Sequence, residues 1–162
     1  VKNLIGMTVR LDRTEKLITP ETKNEHWKGH FQCGSRELES LVGAPKTLDG
    51  NWSSINNKLV TLEGAPESVT GNFRVTDNMT LTTLKGGPKK VGNDYDCAET
   101  NIKSLDGVAE EIGGDLDCSD CPNPAFDHLH DIHKLIKSIN GVLITRGAGP
   151  ARRPLSGTSH IR

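Results

Sequence analysis

The chain has 162 residues, of which 33% are hydrophobic and 4% aromatic, too lean for a compact globule built around one large core. Twenty basic side chains stand against 21 acidic ones, a net charge of -1, which argues against a nucleic-acid partner held by phosphate attraction over a large surface. No apolar run approaches the ~20 residues of a membrane helix, and 17 glycines with 8 prolines interrupt the chain too often for long helices.

The first 30 residues hold two short β-like runs, "IGMTVRL" and "KLITPET", around the polar "DRTE". They read as a hairpin or irregular N-terminal cap, with Trp27 placed to close the core. The opening stretch lacks the apolar segment of a secretory signal. Cys33, Cys97, Cys118 and Cys121 find places in a repeat without disulfides, which points to a reducing, cytoplasmic setting.

From Phe31 the chain repeats itself. Trp52, Phe73, Tyr95 and Leu116 follow at spacings of 21, 21, 22 and 21 residues. Two residues after each comes Cys33, Ser54, Val75, Cys97 or Cys118, and residues i and i+2 of a strand share a face. Leu38, Leu59, Leu81 and Ile102 recur further on, then Leu41, Leu62, Leu84 and Leu105, then Leu48, Val69, Val91 and Ile112. One unit cannot bury enough apolar surface, but stacked units can. The spacing therefore predicts a solenoid over 31–121 with one parallel sheet. Pro45, Pro66 and Pro88 keep the return segments irregular or 3-10.

The frames "WSSINNKL" and "FRVTDNMTL" resemble the Leu-x-Leu-x-x-Asn-x-Leu core of a leucine-rich repeat, with the aromatic residue in the first leucine's place. The units with a Gly-x-Pro return look most like those of tailed-bacteriophage proteins, and more distantly those of bacterial effector ligases. The resemblance implies that Asn57 and Asn78 form a ladder of side chains bonded to turn backbone. It also implies that Cys121 takes the same slot, while Arg36 and Thr100 depart from it.

The C-terminal part is expected to differ. In "NPAFDHLHDIHKLIKSING", Asn123 and Pro124 suit a helix start, and Phe126, Leu129, Ile132, Ile136 and Ile139 recur at helical spacing. This predicts a helix over 124–139, and "VLIT" then continues the strand column through Leu143. Residues 122–145 form the C-terminal helix and final strand, and 146–162 a flexible tail.

Two constellations could carry chemistry. Cys118 and Cys121 with His128, His130 and His133 have ligand types that suit zinc. Six residues between Cys121 and His128 are few for a finger, and the repeat register already explains both cysteines. No metal ligand, cofactor or catalytic residue is assigned. Carboxylates are the second case. Asp94, Asp96, Asp115 and Asp117 flank Tyr95 and Leu116, so alternation turns them outward on the sheet, in line with Gln32, Ser53 and Arg74. The hydrolase elbow, P-loop, zincin and dinucleotide fingerprints are missing from the sequence.

The expected fold is a leucine-rich-repeat solenoid with an N-terminal β cap and one C-terminal α-helix. The expected function is non-catalytic protein interaction through the exposed sheet face. The partner is an unidentified protein, of host or virion origin if the phage resemblance holds, and no membrane is involved. A structural or assembly component is the alternative, and a zinc-binding protein the more remote one.

Overall fold

In the computed structural model of the chain, residues 1–122 and 135–145 are described. The N-terminal segment forms β1 (Thr8–Leu11) and β2 (Thr14–Leu17), then a 3-10 turn at Thr22–Asn24. The strands that follow are short: β3 (His26–Lys28), β4 (Phe31–Gln32), β5 (Thr47–Asp49), β6 (Trp52–Ser53), β7 (Ser68–Val69) and β8 (Phe73–Arg74). The remainder are β9 (Lys90–Val91), β10 (Tyr95–Asp96), β11 (Glu111–Ile112), β12 (Leu116–Asp117), β13 (Ser138–Ile139) and β14 (Leu143–Ile144).

These strands make a parallel β-solenoid with two sheets. One has eight strands in the order β14-β12-β10-β8-β6-β4-β1-β2, and the other has six in the order β13-β11-β9-β7-β5-β3. Each full turn lays one rung on each sheet. The register follows the sequence repeat: Phe31 pairs with Trp52, Trp52 with Phe73, Phe73 with Tyr95, Tyr95 with Leu116 and Leu116 with Leu143. The antiparallel hairpin β1–β2 extends the first sheet from β4, covering what would otherwise be a bare edge.

Tight corners permit rungs this short. Only Gly50 and Asn51 separate β5 from β6. At the equivalent corner of a later coil, a Cβ on Gly113 would lie 1.9 Å from the Gly92 carbonyl oxygen. Stacked coils therefore approach more closely there than any side chain allows. At another corner Gly64 has φ of +90°, where an L side chain is strained. A third corner manages without glycine. Ser35, Asn56, Asp77, Glu99 and Asp120 all hold φ between 54° and 58°, one in each coil.

The core is a set of stacked columns. Phe31, Trp52, Phe73, Tyr95, Leu116 and Leu143 are buried along one sheet, and Trp27, Leu48, Val69, Val91, Ile112 and Ile139 along the other. Phe31 and Trp52 lie with ring centroids 4.2 Å apart and planes 11° from parallel. Phe73 and Tyr95 follow at 5.1 Å, tilted by 54°. Each such side chain contributes about 1.5–3 kcal/mol by leaving water. The residues just before the second-sheet rungs alternate in sign: Glu25, Lys46, Glu67, Lys89, Glu110 and Lys137 follow one another from coil to coil. Lys137 Nζ reaches Glu110 Oε2 at 3.2 Å.

Three expectations need correction. The return segments are not simply irregular, because Leu48, Val69, Val91 and Ile112 sit in strands of a second parallel sheet. The only 3-10 turn among the described residues lies in the N-terminal cap. Trp27 does more than close the core: it pairs with Leu48 as the first rung of that second sheet, so the solenoid begins before residue 31. Finally, Ser138–Ile139 is a strand paired with β11, so a helix does not extend to residue 139. A two-residue rung next to Asn140–Gly141 turns the chain instead. Residues 124–134 of the expected helix, its expected cap Asn123 and the expected tail, 146–162, lie outside the described residues.

Candidate functional site

The outward face of the eight-stranded sheet is the candidate site. Backbone pairing sets Gln32, Ser53, Arg74, Asp96 and Asp117 side by side in one column. The hairpin extends it, because Arg10 pairs with Gln32 and Glu15 with Arg10. Arg10 and Glu15 carry no repeat signal in the sequence, because they reach the column through antiparallel strands outside the 21-residue period. Gln32 and Arg74 are exposed, whereas Ser53, Asp96 and Asp117 are half-buried. Between Arg10 and Asp117 the column passes from basic and neutral residues to acidic ones, and Glu15 adds a carboxylate beyond Arg10.

The carboxylates on this face are already engaged. Asp96 Oδ1 accepts from the Ala98 amide at 3.1 Å, and Asp96 Oδ2 lies 3.8 Å from Arg74 Nε. Asp117 Oδ1 accepts from the Ser119 amide at 2.9 Å and from Ser119 Oγ at 2.6 Å. Burial pushes the Asp96 carboxyl above its ordinary range. The Ala98 amide opposes that shift, Asp117 adds to it, Arg74 opposes it, and Asp94 adds to it.

Asp94 and Asp115 belong to a different column. Each precedes its strand and spans the gap to the next coil. Asp94 Oδ1 accepts from the Asp115 amide at 2.8 Å, and Asp115 Oδ1 from the Val142 amide at 2.9 Å. The same bond recurs upstream. Asn51 Oδ1 accepts from the Asn72 amide at 2.8 Å, and Asn72 Oδ1 from the Asp94 amide at 3.0 Å. It continues through His30 Nδ1, which accepts from the Asn51 amide at 3.0 Å, to Asp12 Oδ1, which accepts from the His30 amide at 2.8 Å. The two stacked aspartates are therefore rungs of a structural ladder at the edge of the face. The signal was present in the sequence: Asn or Asp stands directly before Trp52, Phe73, Tyr95 and Leu116.

A second ladder lies on the buried side of the next corner. Asn57 Oδ1 accepts from the Arg36 and Leu38 amides at 2.8 and 3.1 Å, and its Nδ2 donates to the Cys33 and Ser54 carbonyls at 3.1 and 3.0 Å. Asn78 repeats the arrangement on Leu59, Ser54, Val75 and Thr76. These bonds satisfy backbone groups that would otherwise be buried unpaired. Arg36, in the same slot of the first coil, turns outward and donates to the Thr8 carbonyl at 2.8 Å, tying cap to coil.

The four cysteines are buried and free. Cys118 is 0% and Cys121 4% exposed, and each fills a repeat position, as the register required. His128, His130 and His133 lie outside the described residues. Among the described residues, no group of three or more His, Cys, Asp or Glu side chains could hold a metal ion. No helix among them is long and apolar enough to cross a membrane. Comparison of the chain with protein-family models, with curated proteins and with solved structures gives no match in any of the three.

Proposed function

We propose that this chain is a non-catalytic protein-interaction module that docks its partner on the outward face of the eight-stranded sheet. The observation that carries this reading is the unbroken column Gln32–Ser53–Arg74–Asp96–Asp117, held in register by parallel backbone pairing. Side chains there can vary without disturbing the stacked core, which suits a recognition surface. The acidic pair Asp96 and Asp117 at one end, set against Arg74 and Arg10, orients a partner and speeds its encounter.

The finer kinship is part of the same proposal. The Asn57 and Asn78 bonding pattern supports a short leucine-rich repeat of the kind that resembles tailed-bacteriophage proteins. A host or virion protein in the cytoplasm is then the partner.

The test compares faces. Arg74→Glu, Ser53→Arg and Asp117→Asn alter the proposed face, and Lys90→Glu alters the other sheet. Partner capture from host lysate, quantified by mass spectrometry, is expected to fall about tenfold for the first three and to hold for Lys90→Glu. Far-UV circular dichroism checks that each variant folds. Equal capture by all four variants overturns the reading.

A further inference from the structure

We propose that Cys97 and Cys118 are a latent oxidisable pair, able to close as a disulfide that ties the β10 coil to the β12 coil. Three observations carry this. First, the two sulfurs are already neighbours, with Sγ to Sγ at 3.7 Å. Second, backbone pairing fixes their alignment. Tyr95 pairs with Leu116 and Asp96 with Asp117, and the Cys97 amide then donates to the Asp117 carbonyl at 2.9 Å. Adjacent parallel strands stand ~4.8 Å apart, inside the Cα separation of roughly 4.4–6.8 Å that disulfides span. Third, the arrangement is confined to this place. Cys33 has Ser54 as its column neighbour, and Cys121 is turned toward Thr100 Oγ1 and the Cys97 carbonyl.

The location gives the bond a use. The Asn57–Asn78 ladder ends at Thr100 and Cys121, and the next coil is longer, with 27 residues from Leu116 to Leu143. A covalent tie closes a loop from 97 to 118 where Thr100 and Cys121 stand in place of the asparagine ladder, and it restricts the unfolded chain.

The chemistry balances with a low-molecular-weight disulfide as oxidant. One cysteine thiolate attacks glutathione disulfide, forming a mixed disulfide and expelling one glutathione. The second thiolate attacks the protein sulfur of that bond and expels the other glutathione. Two protein thiols lose two electrons in total, and the oxidant leaves as two thiols that take up the protons. The Cys97 thiol is raised by its hydrogen bond to Cys118 and by burial. The hydrogen bond from Cys97 lowers the Cys118 thiol, but burial and its neighbours raise it further. Both sulfurs are 0% exposed. Reaction therefore waits on opening of the C-terminal coils, and the pair responds slowly, as a latch and not as a fast sensor.

The full chain is incubated with glutathione disulfide at mildly alkaline pH, quenched with N-ethylmaleimide, and analysed by intact mass and peptide mapping. The expected product has lost two hydrogen atoms and carries a Cys97–Cys118 linked peptide. Its unfolding midpoint rises by roughly 5–10 °C and returns with dithiothreitol. Cys97→Ser and Cys118→Ser each abolish the rise, and Cys33→Ser keeps it. Four thiols still free after prolonged exposure, a lasting glutathione adduct, or a link through Cys33 or Cys121 would overturn the proposal. So would a correct link that leaves the midpoint unchanged or lower. If the serine variants fail to fold, the wild-type peptide map and midpoint decide alone.

Discussion

The central coils and the C-terminal coils share one backbone path but use different chemistry to hold it. Around β6 and β8 the buried slot contains Asn57 and Asn78. Each amide bonds both to its own turn and to the preceding coil. Around β10 and β12 the slot contains Thr100 and Cys121. Thr100 Oγ1 donates to the Cys97 carbonyl at 2.8 Å, and Cys121 Sγ reaches the same carbonyl at 3.4 Å. The aromatic column changes as well. Trp52 Nε1 donates to Ser54 Oγ at 3.0 Å, two residues along the same face. Tyr95 has Cys97 in the corresponding place, and its buried hydroxyl has no hydrogen-bond partner among the described residues. Backbone stacking therefore sets the coil, while side-chain bonding sets how firmly each coil is held.

The comparison breaks most sharply at the slot. Asn78→Ala leaves the Leu59 amide and the Ser54, Val75 and Thr76 carbonyls without their side-chain partner. It is expected to cost about 3 kcal/mol in urea unfolding. Thr100→Val removes the hydroxyl's bond to the Cys97 carbonyl and its weaker contact with Cys121 Sγ, with an expected cost of about 1 kcal/mol. Equal losses would show that the slot chemistry does not distinguish the two regions.

Tyr95→Phe sharpens the aromatic contrast. The hydroxyl sits beside Gly87, where an added Cβ would lie 3.4 Å from it. The change removes an unpaired polar atom, so stability is expected to hold or to rise by about 1 kcal/mol. A loss above that amount would mean the hydroxyl has a partner in solution.

The smallest effect concerns charge. Because the folded Asp96 carboxyl is raised above its unfolded value, the native state binds the proton more readily. Ionising Asp96 then lowers stability as pH climbs from the unfolded carboxylate range through the folded one. Asp96→Asn is expected to remove that slope and to stabilise slightly above it, by under about 1 kcal/mol. Unfolding midpoints measured across the acid range would show it. A variant that loses stability only at neutral pH would reverse the sign.

Much of the first sheet is legible in the sequence. Phe31, Trp52, Phe73 and Tyr95 announce their column because large rings at a constant spacing and an i, i+2 partner leave little choice of face. The second sheet was not, because Ser68–Val69 or Glu111–Ile112 is too short to show alternation and is flanked by proline or glycine. The candidate face was legible in part. Alternation placed Gln32, Ser53, Arg74, Asp96 and Asp117 in one row. It could not separate Asp94 and Asp115, which stand at a corner where turn geometry, and not strand pleat, aims the side chain.

The sequence by itself determined the period, the apolar seam and the residues that turn outward along it, because these follow from covalent spacing and strand geometry. Only the tertiary structure decided which polar side chains are free to meet a partner. Asp94, Asp115, Asn57 and Asn78 find their hydrogen-bond partners roughly 20 residues away or more, in the neighbouring coil. Such bonds exist only once the coils stack; the recurring Asn or Asp marks where they form, but not which amide in the next coil they reach.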